Sequence, residues 1–203
     1  MSTTNPKKAA VQPAVHQPTQ SLQVLINAAR KEGHAFRGAL MDHFARVERG
    51  LGPLLVQAST LPAYATVVKK PAHLLGQKLE QLRKLADAEG PLKNALTTAV
   101  ANIEALRLYE EMRHFMAHAT LEVVQAEDGE LLYLFRLARL NKGSMEYSSI
   151  VLGKAEAKVI GTELGVVVHA LTQQLDTTCK GLRAGISRPP KATALPLERS
   201  VQG

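Results

Sequence analysis

The densest run of side chains able to do chemistry is Tyr109-Glu110-Glu111-Met112-Arg113-His114-Phe115-Met116-Ala117-His118. Its types suit acid–base work on a phosphodiester. Cleavage of RNA at its own 2′-OH needs a group that exchanges protons near neutral pH and a cation to stabilise charge on the five-coordinate phosphorus. Histidine supplies the first and arginine the second. On a helix, Glu110, His114 and His118 follow one another at i, i+4 and i+8 along a face turned away from the apolar seam of Tyr109, Met112 and Met116. Arg113 and His118 are separated by about 7.5 Å along the axis and about 140° around it. One rigid helix therefore does not aim both at the same phosphate. Two copies of the helix end meeting across a two-fold axis would do so, as would a helix that loosens before His118.

Two other chemistries compete for the same residues. Glu110 with His114 is also an ordinary helix-face pair, Arg113 can bridge back to Glu110, and His118 in a last turn suits the helix dipole. Two histidines one turn apart with a carboxylate one turn earlier can also line up metal ligands, with His43 or His169 to complete the set. No HExxH signature is present and no fourth ligand is identifiable by spacing, so no metal and no cofactor are expected. His34, His43, His73 and His169 fall on separate elements and read as surface or locally satisfied side chains. Cys179 follows a helix face and reads as an inert, half-buried thiol. The glycines at 33, 38, 50 and 52 have neither a preceding strand nor the Gly-Lys-Ser/Thr of a phosphate loop.

The elements that must position this cluster are legible from periodicity. Leu22, Leu25, Ile26, Ala29, Phe36, Leu40, Phe44 and Val47 form a helical stripe, broken near Gly33, through Arg49, and Thr19 or Ser21 is placed to cap it. Gly50, Gly52 and Pro53 are expected to interrupt it before a short continuation at Leu54–Ala58. Leu74, Leu75, Leu79, Leu82 and Leu85 give a second helix ending at Gly90-Pro91. Leu92, Leu96, Val100, Ile103, Leu106, Tyr109, Met112 and Met116 predict one helix of seven turns that carries the cluster at its end. The pattern then changes to strands, with Leu121–Gln125 and Leu131–Leu140 joined at Asp128-Gly129 by a two-residue hairpin turn, and Met145–Leu152 as a short third strand. A last helix runs from Lys154 to Lys180, with Gly181 as its stop. The expected fold is mainly α, a helical bundle of four to five helices with a small β-hairpin insertion before the last helix.

Composition frames these elements. Of 203 residues, 45% are hydrophobic and 21% charged, the balance of a globular protein of one domain. A single cysteine excludes a disulfide scaffold and a multi-cysteine zinc site. The longest uncharged apolar stretch, within Leu164–Leu175, is too short to span a bilayer, and the first twenty residues lack an apolar signal core. Cytoplasmic localisation without membrane association is the expectation. Of the net charge of +7, residues 1–20 carry +2 and residues 183–203 carry +3, which leaves +2 for residues 21–182. The first and last of these spans, interrupted by Pro6, Pro13 and Pro18 and by Pro189, Pro190 and Pro196, read as a flexible arm and a flexible basic tail. Basic arms attract phosphate backbones or simply aid solubility.

Arg113-His114-Phe115-Met116-Ala117-His118 resembles the Arg-polar-x-x-x-His motif of the HEPN superfamily, where the residue after arginine is commonly Asn, Asp or His. The likeness extends over Ser21–Leu182, with an early helix bearing Phe44, Arg46 and Glu48, and an extended region followed by a long final helix. It implies a metal-independent endoribonuclease whose dimer brings two motifs into one composite cleft, in toxin–antitoxin or phage-defence settings. By this resemblance Arg113 holds the scissile phosphate, His118 is the acid or base, and His114 orients the phosphate or the partner motif. Glu110 and Glu48 support them by orienting the cations. RNA, a second copy of the chain and an antitoxin or other protein are the implied partners. The alternative is a non-catalytic HEPN-like module that binds RNA or a protein through the same cleft.

Overall fold

The computed structural model describes residues 20–186. The expected arm and tail lie outside the described residues, except that Gln20 and residues 183–186 belong to helices. In chain order the elements are α1 (Gln20–Ser59), a 3-10 turn (Pro62–Tyr64), α2 (Leu75–Asp87), α3 (Lys93–Arg107), α4 (Glu110–His118), β1 (Thr120–Gln125), β2 (Leu131–Asn141), β3 (Ser144–Leu152) and α5 (Lys154–Ile186). The fold is mainly helical, with a three-stranded antiparallel sheet before the last helix.

The two longest helices form the frame. Lys154 Nζ donates to Glu32 Oε1, Gly165 faces the ring of His43, and Leu175 lies against Gly50. These pairs advance together along both chains, so α1 and α5 run parallel. Close approach explains one glycine: a Cβ on Gly50 would sit 3.2 Å from Leu175 Cδ1. Leu40, Phe44, Val47, Leu51, Leu54, Leu55 and Ala58 are buried along α1, and Leu164, Val168, Leu171 and Leu175 along α5. α1 is continuous through Gly33 and Pro53, so neither the expected break near Gly33 nor the expected interruption at Gly50, Gly52 and Pro53 occurs. Gly181 likewise does not end α5, which continues to Ile186.

At the far end of α1, α2 and α3 pack on the frame. Leu79, Leu82, Leu85, Leu92, Leu96 and Ile103 are all buried. Their connection depends on Gly90, whose φ of +146° disfavours any L side chain and whose Cβ position lies 2.6 Å from the Tyr64 hydroxyl. That hydroxyl accepts the Leu92 N–H at 2.7 Å inside the core.

The single seven-turn helix of the sequence expectation is two helices. The Tyr109 N–H bonds to Leu106 O, three residues back, at 3.0 Å, and Tyr109 itself has ψ near zero (φ −104°, ψ −1°). This tightened turn ends α3. The Tyr109 hydroxyl then donates to Glu163 Oε2 of α5 at 3.0 Å. A second helix starts at Glu110.

The expected hairpin is the first part of a β1-β2-β3 meander. Gly129, at φ +90°, donates to Ala126 O, and Ala126 N–H bonds to Glu130 O. The turn is thus three residues long with glycine in the left-handed position, rather than the expected two-residue turn. The two-residue turn is the other one: Lys142 (φ 48°) and Gly143 (φ 86°) join the paired residues Asn141 and Ser144. β1 pairs with β2 only as far as Arg136, so the distal part of β2 and β3 forms a two-stranded ribbon with Leu140, Met145 and Tyr147 exposed. The proximal part packs on α1. Phe135 meets Phe36 at 6.4 Å between ring centroids, and a Cβ on Gly33 would sit 2.8 Å from Leu121 Cδ2.

Candidate functional site

The candidate cluster occupies α4, a helix of 9 residues. Phe115 and Met116 are buried and anchor it to the core. His114 and His118 are both exposed, one turn apart, and their rings meet edge to face with centroids 5.2 Å apart. No hydrogen bond to a described residue orients either imidazole. Arg113 is half-buried, and its Nε is enclosed without a hydrogen-bond partner. No carboxylate among the described residues comes within 4.0 Å of it to form an ion pair.

The two carboxylates assigned to support these groups lie elsewhere. Lys78 Nζ of α2 donates to Glu48 Oε1 at 2.7 Å. Glu110 reaches toward α2, where its Oε1 lies 3.2 Å from the Cβ position of Gly76, and its charge bears on Arg107. Arg107 is fully engaged on that side. Its Nη2 donates to Glu80 Oε2 at 2.8 Å, which raises the guanidinium pKa further and holds the Glu80 carboxyl below its usual range.

The folded chain instead brings two residues of α1 to the end of α4. Arg37 Nη1 donates to the Ala119 carbonyl at 2.8 Å, immediately after His118. Arg37 Nη2 lies 3.4 Å from His34 Nδ1. The last carbonyls of a helix lack intrahelical donors and carry partial negative charge, so a guanidinium there fixes the helix end. Neither Arg37 nor His34 was singled out for this site by sequence, because the contact spans 82 positions.

His43, considered as a metal ligand, has its Nδ1 buried without a partner, while its Cε1 and Nε2 face Gly165 of α5. Burial first, and then the nearby Arg46, push its pKa down. Among the described residues, no group of three or more His, Cys, Asp and Glu side chains is gathered as a metal site. A groove of about 1080 Å³ runs between α3 and α5, walled by residues such as Leu92, Ala95 and Leu182, and no residue of α4 lines it. No described helix is long and apolar enough to cross a membrane.

No protein-family model, no curated protein and no solved structure matches this chain.

Proposed function

We propose that the chain is a metal-independent endoribonuclease of HEPN type that works as a homodimer, with Arg113, His114 and His118 of each copy meeting at one cleft. The observation that carries this reading is the Arg113 guanidinium. It sits half-buried on the helix that also carries His114 and His118, with Nε enclosed and no carboxylate among the described residues close enough to neutralise it. A cation left in that state is matched by an external anion, and a phosphodiester is the anion that adjacent imidazoles can act upon. α4 stays helical through His118. That continuity supports the meeting of two copies over a helix that loosens before His118. Glu48, held by Lys78, is dropped from the proposed machinery, and Glu110 keeps no proposed role at the phosphate. Arg37 enters as a positioning residue for the end of α4. A setting in cellular defence, or as a toxin held by a protein inhibitor, belongs to the same proposal.

One observation favours the non-catalytic module instead: among the described residues no third group orients either imidazole, whereas a catalytic base is usually held by one. RNA cleavage in EDTA separates the two. Wild-type protein is expected to cut RNA in chelator, with Arg113→Ala and His118→Ala each slower by about 10²–10⁴-fold. Mixing the two inactive variants is expected to restore measurable cleavage, because each mixed dimer carries one intact Arg113 and one intact His118. Activity abolished by chelation, or surviving both substitutions, overturns the mechanism. RNA binding without cleavage, indifferent to the histidines, establishes the module.

A further inference from the structure

Arg46 and Arg49 leave α1 three residues apart, and Lys180 and Arg183 leave α5 with the same spacing. Because the helices run parallel, all four reach one pocket of about 350 Å³. The local backbone helps to form it. Pro53, on the pocket wall, has no N–H, so the Arg49 carbonyl one turn earlier finds no donor at the position where a helix normally supplies one.

Among the described residues, the lining holds four cationic side chains and one carboxylate, Asp176, whose Oδ2 already accepts from Lys180 Nζ at 2.6 Å. Arg46 and Arg49 are exposed, and neither comes within 4.0 Å of a carboxylate among the described residues. Cys179 also lines the pocket, and burial pushes its thiol pKa up, so it adds no negative charge at neutral pH. Like charges gathered in this way repel until an anion comes between them. A guanidinium fork matches two oxygens of a phosphate. Among the described residues no aromatic side chain lines the pocket, so they offer no face on which a base would stack.

We propose that this pocket is a phosphate-binding site, in which Arg46 and Arg49 of α1, with Lys180 and Arg183 of α5, clamp a ligand carrying two linked or neighbouring phosphates. The recognised chemistry is the phosphates, not a base. Such groups come either from a free diphosphate-bearing small molecule or from the backbone of a polynucleotide. The site contains no residue of α4 and holds whether or not the protein cleaves RNA.

The test uses the full chain and two probes. Sodium pyrophosphate is titrated by calorimetry, and a labelled single-stranded oligoribonucleotide of mixed sequence by fluorescence anisotropy. Wild type is compared with the double variant Arg46→Gln/Arg49→Gln and with Arg139→Gln, a control on the exposed ribbon. The double variant is expected to lose at least about tenfold in affinity for a probe that wild type binds, while the control stays within about twofold. Loss confined to pyrophosphate assigns the site to a free ligand. Loss of oligoribonucleotide binding that steepens at low salt assigns it to a polynucleotide backbone. Circular dichroism and the urea midpoint confirm that the double variant is folded. Failure of wild type to bind either probe, or undiminished binding of both by a folded double variant, overturns the proposal.

Discussion

Arg37 and Arg113 stand on adjoining helices and use their guanidinium groups differently. Arg37 closes an internal account of polar groups: one nitrogen serves the Ala119 carbonyl, and another lies against His34. Arg113 closes none, since its Nε is enclosed without a partner. The first arrangement stabilises the free protein, whereas the second leaves an enclosed donor unsatisfied. Arg37→Ala is therefore expected to cost about 1–2 kcal/mol, because a partly buried carbonyl at a helix end loses a charged donor. Arg37→Lys, which keeps the charge but not the fork, should recover only part of this loss. Urea denaturation measures both, and an Arg37→Ala midpoint equal to wild type would show that water replaces the guanidinium without penalty. Sequence exposed one of these arginines and hid the other. Arg113 lies in a local run with two histidines at helical spacing, which periodicity can place on one element. Arg37, His34 and the true partners of Glu48 and Glu110 depend on which helices come together, and local spacing carries no such information.

Periodicity located the helices because burial dominates their stability, and it misplaced the ends for the same reason. A proline inside a helix costs about 3 kcal/mol and a glycine about 1 kcal/mol. Leu51, Leu54 and Leu55 are each fully buried on the stretch containing Gly52 and Pro53, and each such side chain contributes about 1.5–3 kcal/mol. The apolar term exceeds the breaker term, and α1 runs on. The break between α3 and α4 is the reverse case. The apolar residues keep their three- and four-residue spacing across Leu108 and Tyr109, so a break between helices there leaves the pattern unaltered. The Tyr109 contact with Glu163, 54 positions away, ties that break to α5. The two hairpin turns show a finer limit: Asp128-Gly129 marked a turn correctly, but the pairing of Gln125 with Leu131 sets its length. If Pro53 is tolerated rather than required for folding, Pro53→Ala should stabilise the protein by about 1–3 kcal/mol through restored helical bonding. The urea midpoint checks this, and a lowered midpoint would mean that the packing of α1 on α5 depends on the distortion around the proline.

The sheet, α1 and α5 are joined at one polar node, and that node gives the whole molecule a defined response to alkali. Glu32 on α1 accepts from the Tyr133 hydroxyl of β2 at 3.1 Å and from Lys154 of α5 at 2.8 Å. The Lys154 and Tyr133 hydrogen bonds hold the Glu32 carboxyl below its usual range, while burial, reinforced by Glu32, pushes the Tyr133 phenol up to about 12. Tyr109 is raised by burial and by its bond to Glu163, and the Cys179 thiol is raised by burial. All three of these protons are held more tightly in the folded chain than in the unfolded one. Their contribution is complete below the ordinary thiol and phenol values and is lost as pH rises through about 9 to 12, where the unfolded chain gives up the protons first. At the acid end the signs reverse. The depressed Glu32 and Glu80 stabilise the fold above the ordinary carboxylate range and cease to do so as pH falls through it. The urea midpoint should therefore decline steadily above pH about 9. Tyr133→Phe should flatten the upper part of that decline, because it removes the proton with the largest shift and leaves Glu32 bound to Lys154. An unchanged alkaline slope in Tyr133→Phe would place the pH sensitivity in Tyr109 and Cys179, and would mean that the sheet is held on the helical frame by Phe135 against Phe36 and Leu121 against Gly33 rather than by its polar node.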